Sequence, residues 1–307
     1  MNTFLGIEIG GTKLQIVVGN ESAKILERFR FSVAANDGAK AIQQQIKTTL
    51  EEIFSKIEPN AIGVGFGGPV DCKTGKICCS HQIEGWSEFP IGEWVHSLVK
   101  IPVFVDNDAN VAALGEAIHG AGRGFNPVSY VTLGSGVGGG LVVDGEIYHG
   151  ATPGESEIGH LRLDKTGRMV ESNCSGWAVD KKIREAISLN QNSLLAKSIG
   201  NSVGGESKYL KAALEQNDPV AQKILSETSE DLAFGLSHVV HLFHPEIIVL
   251  GGGLSLVGEP FRAAVEKSLP TFSMKAFAPG PKISLAELQE DSVPVGALTL
   301  AKLRSLN

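Results

Sequence analysis

Apolar positions along the chain fall into short runs broken by glycine, interleaved with stretches of helical spacing. Over 3–19 the run Phe4-Leu5-Gly6-Ile7-Glu8-Ile9 stops at Gly10-Gly11-Thr12-Lys13, resumes as Leu14-Gln15-Ile16-Val17-Val18 and ends at Gly19-Asn20. That order predicts strand, glycine loop, strand, turn. It returns as Tyr130-Val131-Thr132-Leu133, Gly134-Ser135-Gly136-Val137-Gly138-Gly139-Gly140 and Leu141-Val142-Val143, closed by an Asp144-Gly145 hairpin turn. Two glycine-tipped hairpins this far apart imply a duplicated, two-lobed architecture, because solenoid repeats are much shorter.

Between the hairpins, helical spacing over 38–56 is followed by a β-like run at 61–66, another at 101–105, and a helix from Asn110 to Ile118 that stops at Gly120-Ala121-Gly122. Further on, 176–188 and 207–242 read as helices separated by a polar loop at 189–206. A buried strand at Ile247–Leu250 runs into Gly251-Gly252-Gly253, and 258–268 is helical. Alternating strands and helices with short connections predict an α/β fold with mixed β-sheets flanked by helices. A length of 307 residues agrees with two lobes, since single cores stop growing near that size.

Charge narrows the partners. The formal net charge is −7 and no Lys/Arg-rich run appears, which argues against nucleic acid held through its phosphates. Anionic substrates then need backbone amides and a metal ion. The N-terminal stretch has no basic region and carries Glu8 where a signal peptide is apolar, and no run approaches the ~18 apolar residues of a membrane span. No membrane partner and a cytoplasmic location are expected. Cys72, Cys78, Cys79 and Cys174 are too few and too unevenly spaced for a disulfide framework.

Glycine lacks the Cβ that blocks an anion from converging amides, so glycine turns are candidate phosphate clamps. Gly134-x-Gly136-x-x-Gly139 fits a dinucleotide fingerprint formally, but that motif opens a helix and here a strand follows. A Walker loop needs Gly-Lys-Ser/Thr, which is absent. Either both loops are β-hairpin phosphate loops, or they are only tight turns. The second candidate is Asp106-Asn107-Asp108-Ala109-Asn110, at a strand end before a helix, where α/β proteins place ligand groups. Asn107 and Asp108 suit sugar hydroxyls, and a carboxylate there can take the proton of an attacking hydroxyl. The plainer alternative makes Asp106, Asp108 or Asn110 a helix N-cap.

At these residues the chain resembles the ROK family of sugar kinases and regulators over essentially its whole length. Gly6-Ile7-Glu8-Ile9-Gly10-Gly11-Thr12-Lys13 is similar to the family's first phosphate motif, and Gly67-Gly68-Pro69-Val70-Asp71 to its Pro-Gly-Pro-Val-Asp segment. Asn107-Asp108 matches the sugar-site pair, Leu133–Gly140 the second phosphate loop, Glu157-Ile158-Gly159-His160 the Glu-x-Gly-His sugar motif, and Ile248–Gly253 the adenosine segment. The resemblance implies a two-lobed actin-like ATPase (ribonuclease H-like) fold. Its lobes are placed at 1–117 and 118–292, with a C-terminal helix at 293–307 packing back on the first. It implies ATP-dependent phosphorylation of a hexose such as glucose, at O6, with Asp108 as general base. Gly68, Asn107, Glu157, His160 and Glu171 then hold the sugar; Gly10, Gly11, Thr12, Lys13, Gly134, Ser135, Gly136, Gly138, Gly252 and Gly253 hold ATP; Mg²⁺ sits near Glu8 through water. A homodimer is expected by the same analogy.

Two departures stand out. The family carries Asp where this chain has Glu8, a carboxylate displaced by about one methylene, ~1.5 Å. The family's cysteine-rich zinc segment is shortened to Leu161–Glu171 with no cysteine, and one Cys with one His cannot close a tetrahedral site, so no structural zinc is expected. His160 is then either a sugar ligand or a buried, satisfied histidine. A non-catalytic sugar-binding regulator of the same family is the alternative function, and acetyl phosphate or polyphosphate are alternative donors. Which sugar is used rests on loops such as 81–90 and 150–175.

Overall fold

The structure, a computed structural model, describes residues 2–33, 38–80, 84–154, 156–200 and 202–306; residues 81–83 and 155 of the two specificity loops fall outside these. Strands β1 (Thr3–Ile9), β2 (Lys13–Asn20) and β3 (Ile25–Ser32) form an antiparallel meander, followed by helix α1 (Gly38–Phe54) and strand β4 (Ala61–Phe66). A short hairpin of β5 (Val70–Asp71) and β6 (Lys76–Ile77) leads to α2 (Ile91–Val99), β7 (Val103–Asn107) and α3 (Asp108–His119). Then come β8 (Val128–Leu133), β9 (Val137–Val143) and β10 (Glu146–Ile147). Helices α4 (Val170–Cys174), α5 (Gly176–Leu189), α6 (Leu194–Ile199), α7 (Leu210–Glu215) and α8 (Pro219–Phe243) follow. The chain closes with β11 (Ile247–Gly251), α9 (Glu259–Phe272), β12 (Lys282–Leu285) and α10 (Ser292–Ser305).

The first sheet has the order β3-β2-β1-β4-β7, and β1, β4 and β7 run parallel. The second has the order β10-β9-β8-β11-β12, with β8, β11 and β12 parallel. The two orders match position by position, a meander continued by two parallel strands, so the duplication expected from the hairpins is present in the topology. The chain divides into two compact units: residues 1–123, 140–156 and 290–307 in one, 124–139 and 157–289 in the other.

In the first unit, β1 and β4 are buried on both faces, as central strands are; β4 reads as an unbroken apolar run, and β1 is interrupted at its end by the buried Glu8. Its core joins Leu5, Ile7, Ile16, Ile46, Val64 and Val105 to Trp86, which meets Phe66 and Phe89 edge-on at centroid distances of 5.6 and 5.3 Å. The second unit's core gathers Val131, Leu133, Ile183, Leu236, Ile248 and Phe261.

Two helical expectations change. The stretch 207–242 is not continuous: a 3₁₀ turn at Glu206–Tyr209 leads into α7, and α8 starts afresh at Pro219 behind Asp218, whose side chain accepts the amides of Val220 and Ala221. The polar stretch 189–206 contains α6, capped by Ser193 on the Ala196 amide at 3.1 Å. In both places a capping oxygen restarts a helix where hydrophobic spacing alone gives no boundary.

Candidate functional site

In the first unit, β7 passes into α3 with no intervening loop. Asn107, the last strand residue, is the N-cap: its Oδ1 accepts the amides of Ala109 (2.8 Å) and Asn110 (3.2 Å). Its Nδ2 donates to the Gly68 carbonyl at 3.1 Å. The cap is thus Asn107, not Asp106, Asp108 or Asn110, and the second Nδ2 hydrogen of Asn107 has no acceptor among the described residues. Asp108 opens the helix, half-buried, with its carboxylate against Gly67, where a Cβ would stand 3.3 Å from Oδ2. Burial, and after it the negative charge of Glu8, push the Asp108 carboxyl up to about 7; the Ala109 amide and Lys13 oppose this.

Glu8 lies near the end of β1, 5% exposed. Its Oε1 meets Lys13 Nζ at 3.0 Å and its Oε2 accepts from Gln15 Nε2 at 2.7 Å. Burial raises its pKa, against the pull of Lys13 and Gln15. Gln15 Oε1 in turn accepts from Arg28 and Arg30, each at 3.1 Å. Gln15 escaped the sequence reading, although the hairpin carried a signal: a tight turn at 10–12 puts position 15 opposite position 8, which is the register found. In that turn the Gly10 amide donates to the Lys13 carbonyl at 3.0 Å, while the amides of Gly11 and Thr12 have no acceptor among the described residues. Adjacent amides left open in a turn make an anion-binding concavity.

A polar cluster lies on the same strand end. Buried Asp106 receives the Asn107 amide (2.9 Å) and Asn110 Nδ2 (3.0 Å) on Oδ1, and its Oδ2 lies 2.7 Å from His149 Nε2. That carboxylate, with help from Cys72, pushes the His149 imidazole up to about 10. Neither Cys72 nor His149 carried a sequence signal, because no local spacing links positions 72, 106 and 149.

In the second unit the loop between β8 and β9 has the same character. The Gly134 amide bonds the Gly136 carbonyl at 2.9 Å, the amides of Ser135 and Gly136 have no acceptor among the described residues, and Gly138 follows within β9. Glu171 braces this loop by accepting the Val137 amide at 2.9 Å, and it fills the space a Cβ on Gly136 would need. Gly252 (φ +78°) is pressed against the Leu133 backbone just ahead of the loop, whereas the Cβ direction of Gly253 is open. Glu157 precedes and His160 ends a 3₁₀ turn; both face solvent, 4.0 Å apart. The alternative of a buried, satisfied histidine therefore does not hold for His160. Cys174 ends α4 inside the core, where burial pushes its thiol up to about 12.

The model of the ROK family matches residues 4–304. A glucokinase of Thermotoga maritima is 29% identical over 308 residues, 98% of this chain and 97% of that protein. The crystal structure of a ROK family glucokinase from Streptomyces griseus, in complex with glucose and AMPPNP, superposes with a TM-score of 0.85 at 30% identity, covering 98% of this chain and 100% of that one. A putative xylose repressor of Caldicellulosiruptor is 25% identical over 84% of this chain and 67% of its own.

Proposed function

The chain belongs to the ROK family, and from that premise we propose that it is a sugar kinase, transferring the γ-phosphoryl group of ATP to a hexose hydroxyl with Asp108 as the general base. The observation that carries this reading is the state of Asp108. A carboxyl raised to about 7 is matched to accepting a hydroxyl proton near neutral pH. Its place at the first turn of α3, beside a glycine without a Cβ, leaves a reacting oxygen room to approach.

The remaining roles follow from what each group has left to offer. Asn107 has one N–H for a sugar oxygen, since its other polar positions are engaged. Glu157 and His160 face solvent and can meet hydroxyls, and Glu171 has a second carboxylate oxygen beyond the one that accepts from Val137. The Gly68 carbonyl, already accepting from Asn107, helps by orienting that amide. The open amides of Gly11, Thr12, Ser135 and Gly136 fit phosphate oxygens, with Lys13 adding charge; Gly10, Gly134, Gly138 and Gly253 keep the backbone approachable, and Gly252 lets the adenosine segment pack on Leu133 just ahead of the second loop. Both Glu8 oxygens are engaged by Lys13 and Gln15, so the residue fits Mg²⁺ only as an acceptor for its water shell. ATP supplies the transferred group and Mg²⁺ neutralises its charge; the protein's part is positioning and proton acceptance. The acceptor is glucose or a close relative, by analogy with the named relatives, and O6 is the hydroxyl that the family resemblance implies.

The repressor relative keeps a second reading alive, a sugar-binding regulator without turnover. One assay separates them: ADP release across a panel of hexoses and N-acetylhexosamines with Mg·ATP, for the wild type and Asp108→Asn. The kinase reading expects turnover on one or two sugars that falls about 10²–10⁴-fold in the variant. Sugar binding with no turnover anywhere on the panel would establish the regulator instead.

A further inference from the structure

Three segments distant in sequence meet within the first unit: Cys72 just past β5, Asp106 in β7 and His149 just past β10. One thiol sulfur, one carboxylate oxygen and one imidazole nitrogen lie within 4.8 Å of one another. We propose that Cys72, Asp106 and His149 form a binding site for a borderline-soft divalent transition-metal ion of the zinc class, with a fourth position for water. The donor set selects the ion. Thiolate and imidazole favour zinc-like metals, whereas Mg²⁺ and Ca²⁺ take oxygen ligands almost alone.

Asp106 is held as outer-shell bonds hold a ligating carboxylate. Its Oδ1 is fixed by the Asn107 amide and by Asn110 Nδ2, and the carboxylate is buried, so Oδ2 is the oxygen facing His149. Asn110, which supplies one of those bonds, is itself fully buried, and its Nδ2 also donates to the Gly154 carbonyl at 3.0 Å, so its grip on Asp106 is fixed in turn. The 2.7 Å between His149 Nε2 and Asp106 Oδ2 spans a shared proton. Tetrahedral N and O ligands with bonds of roughly 2.0–2.1 Å stand roughly 3.3–3.4 Å apart, so the pair must part by roughly 0.6 Å. The ion replaces that proton and the Cys72 thiol proton, and both leave to solvent. The site shares no residue with the shortened segment at 161–171, and it stands whether or not the protein phosphorylates sugars.

The test uses the full-length, chelator-treated protein and the metals alone. Titration with Co²⁺ is expected to give a near-ultraviolet thiolate-to-cobalt band saturating at one equivalent, displaced by Zn²⁺. Cys72→Ser is expected to lose the band and to bind Zn²⁺ at least ~100-fold more weakly, beyond the usual effect of an outer-shell change. His149→Gln should behave alike, while Cys79→Ser keeps the band. Zn²⁺ should also raise the wild-type Tm and leave that of Cys72→Ser unmoved, since a ligand stabilises the state that binds it. A wild type with no stoichiometric band overturns the site, which needs no variant to fold. A Cys72→Ser protein that keeps the band overturns it equally.

Discussion

Asp108 holds its proton to about pH 7 because two effects act together: its carboxylate is shielded from water, and Glu8 already carries charge nearby. Both penalise the ionised form, and Lys13 offsets only part. As a base, Asp108 works only once deprotonated. The expected kcat/KM therefore rises with pH through about 7 and falls tenfold per unit below it. Glu8→Gln removes the like charge and should move that acid limb to lower pH by about one unit, whatever it does to the plateau. A pH–rate profile of the two proteins checks this; an unmoved limb in the variant would assign the limb to another group. The candidate base was legible from the residue types around it. Its protonation state was not, because neither burial nor the distance to Glu8 is written in local sequence.

Elements depend on single capping residues as much as on apolar faces. Asp218, 1% exposed, serves two helices at once: Oδ1 accepts the amides of Val220 and Ala221 at the start of α8, and Oδ2 those of Leu194 and Leu195 at the start of α6. Burial alone would raise its pKa, yet the four amides outweigh it and the net shift is downward. Its stabilisation is thus present above the unfolded carboxylate pKa and is lost as pH falls through the lower folded value. Asp218→Ala should cost about 2–4 kcal/mol at neutral pH, two caps and the partners left bare. Urea midpoints at neutral and acidic pH measure it, and the gap between the proteins should narrow in acid. A gap of the same size at both pH values would mean that packing rather than charge is lost. Hydrophobic periodicity located this helical region but not its break, since the second helix Asp218 serves lies more than twenty positions upstream.

At the scale of the whole molecule, the last helix belongs with the first strands. Helix α10 packs on α3, β1 and β4 through positions where no side chain fits: a Cβ on Gly296 would strike the Val111 carbonyl, one on Gly63 the Ala297 carbonyl, and one on Gly115 the Ser292 carbonyl. Gly296→Ala should destabilise by about 3 kcal/mol, the upper part of the overpacking range, because the opposing atoms are backbone. Thermal unfolding checks this, and a wild-type Tm would mean that α10 can shift outward at little cost. Further links tie the two ends of the chain: Arg28 reaches Asp291 at 2.7 Å, and Lys302 donates to the Glu21 carbonyl at 2.8 Å.

The sequence by itself determined the α/β class, the two glycine-tipped hairpins and the Asn107-Asp108 pair at a strand end, because each rests on periodicity or turn chemistry within a few residues. The tertiary structure decided what depends on encounters between distant segments. Strand register set Gln15 against Glu8, burial raised the carboxyl of Asp108, and chain folding brought Cys72, Asp106 and His149 within reach of one another. Dielectric surroundings and through-space distance govern these properties, and neither follows from spacing along the chain.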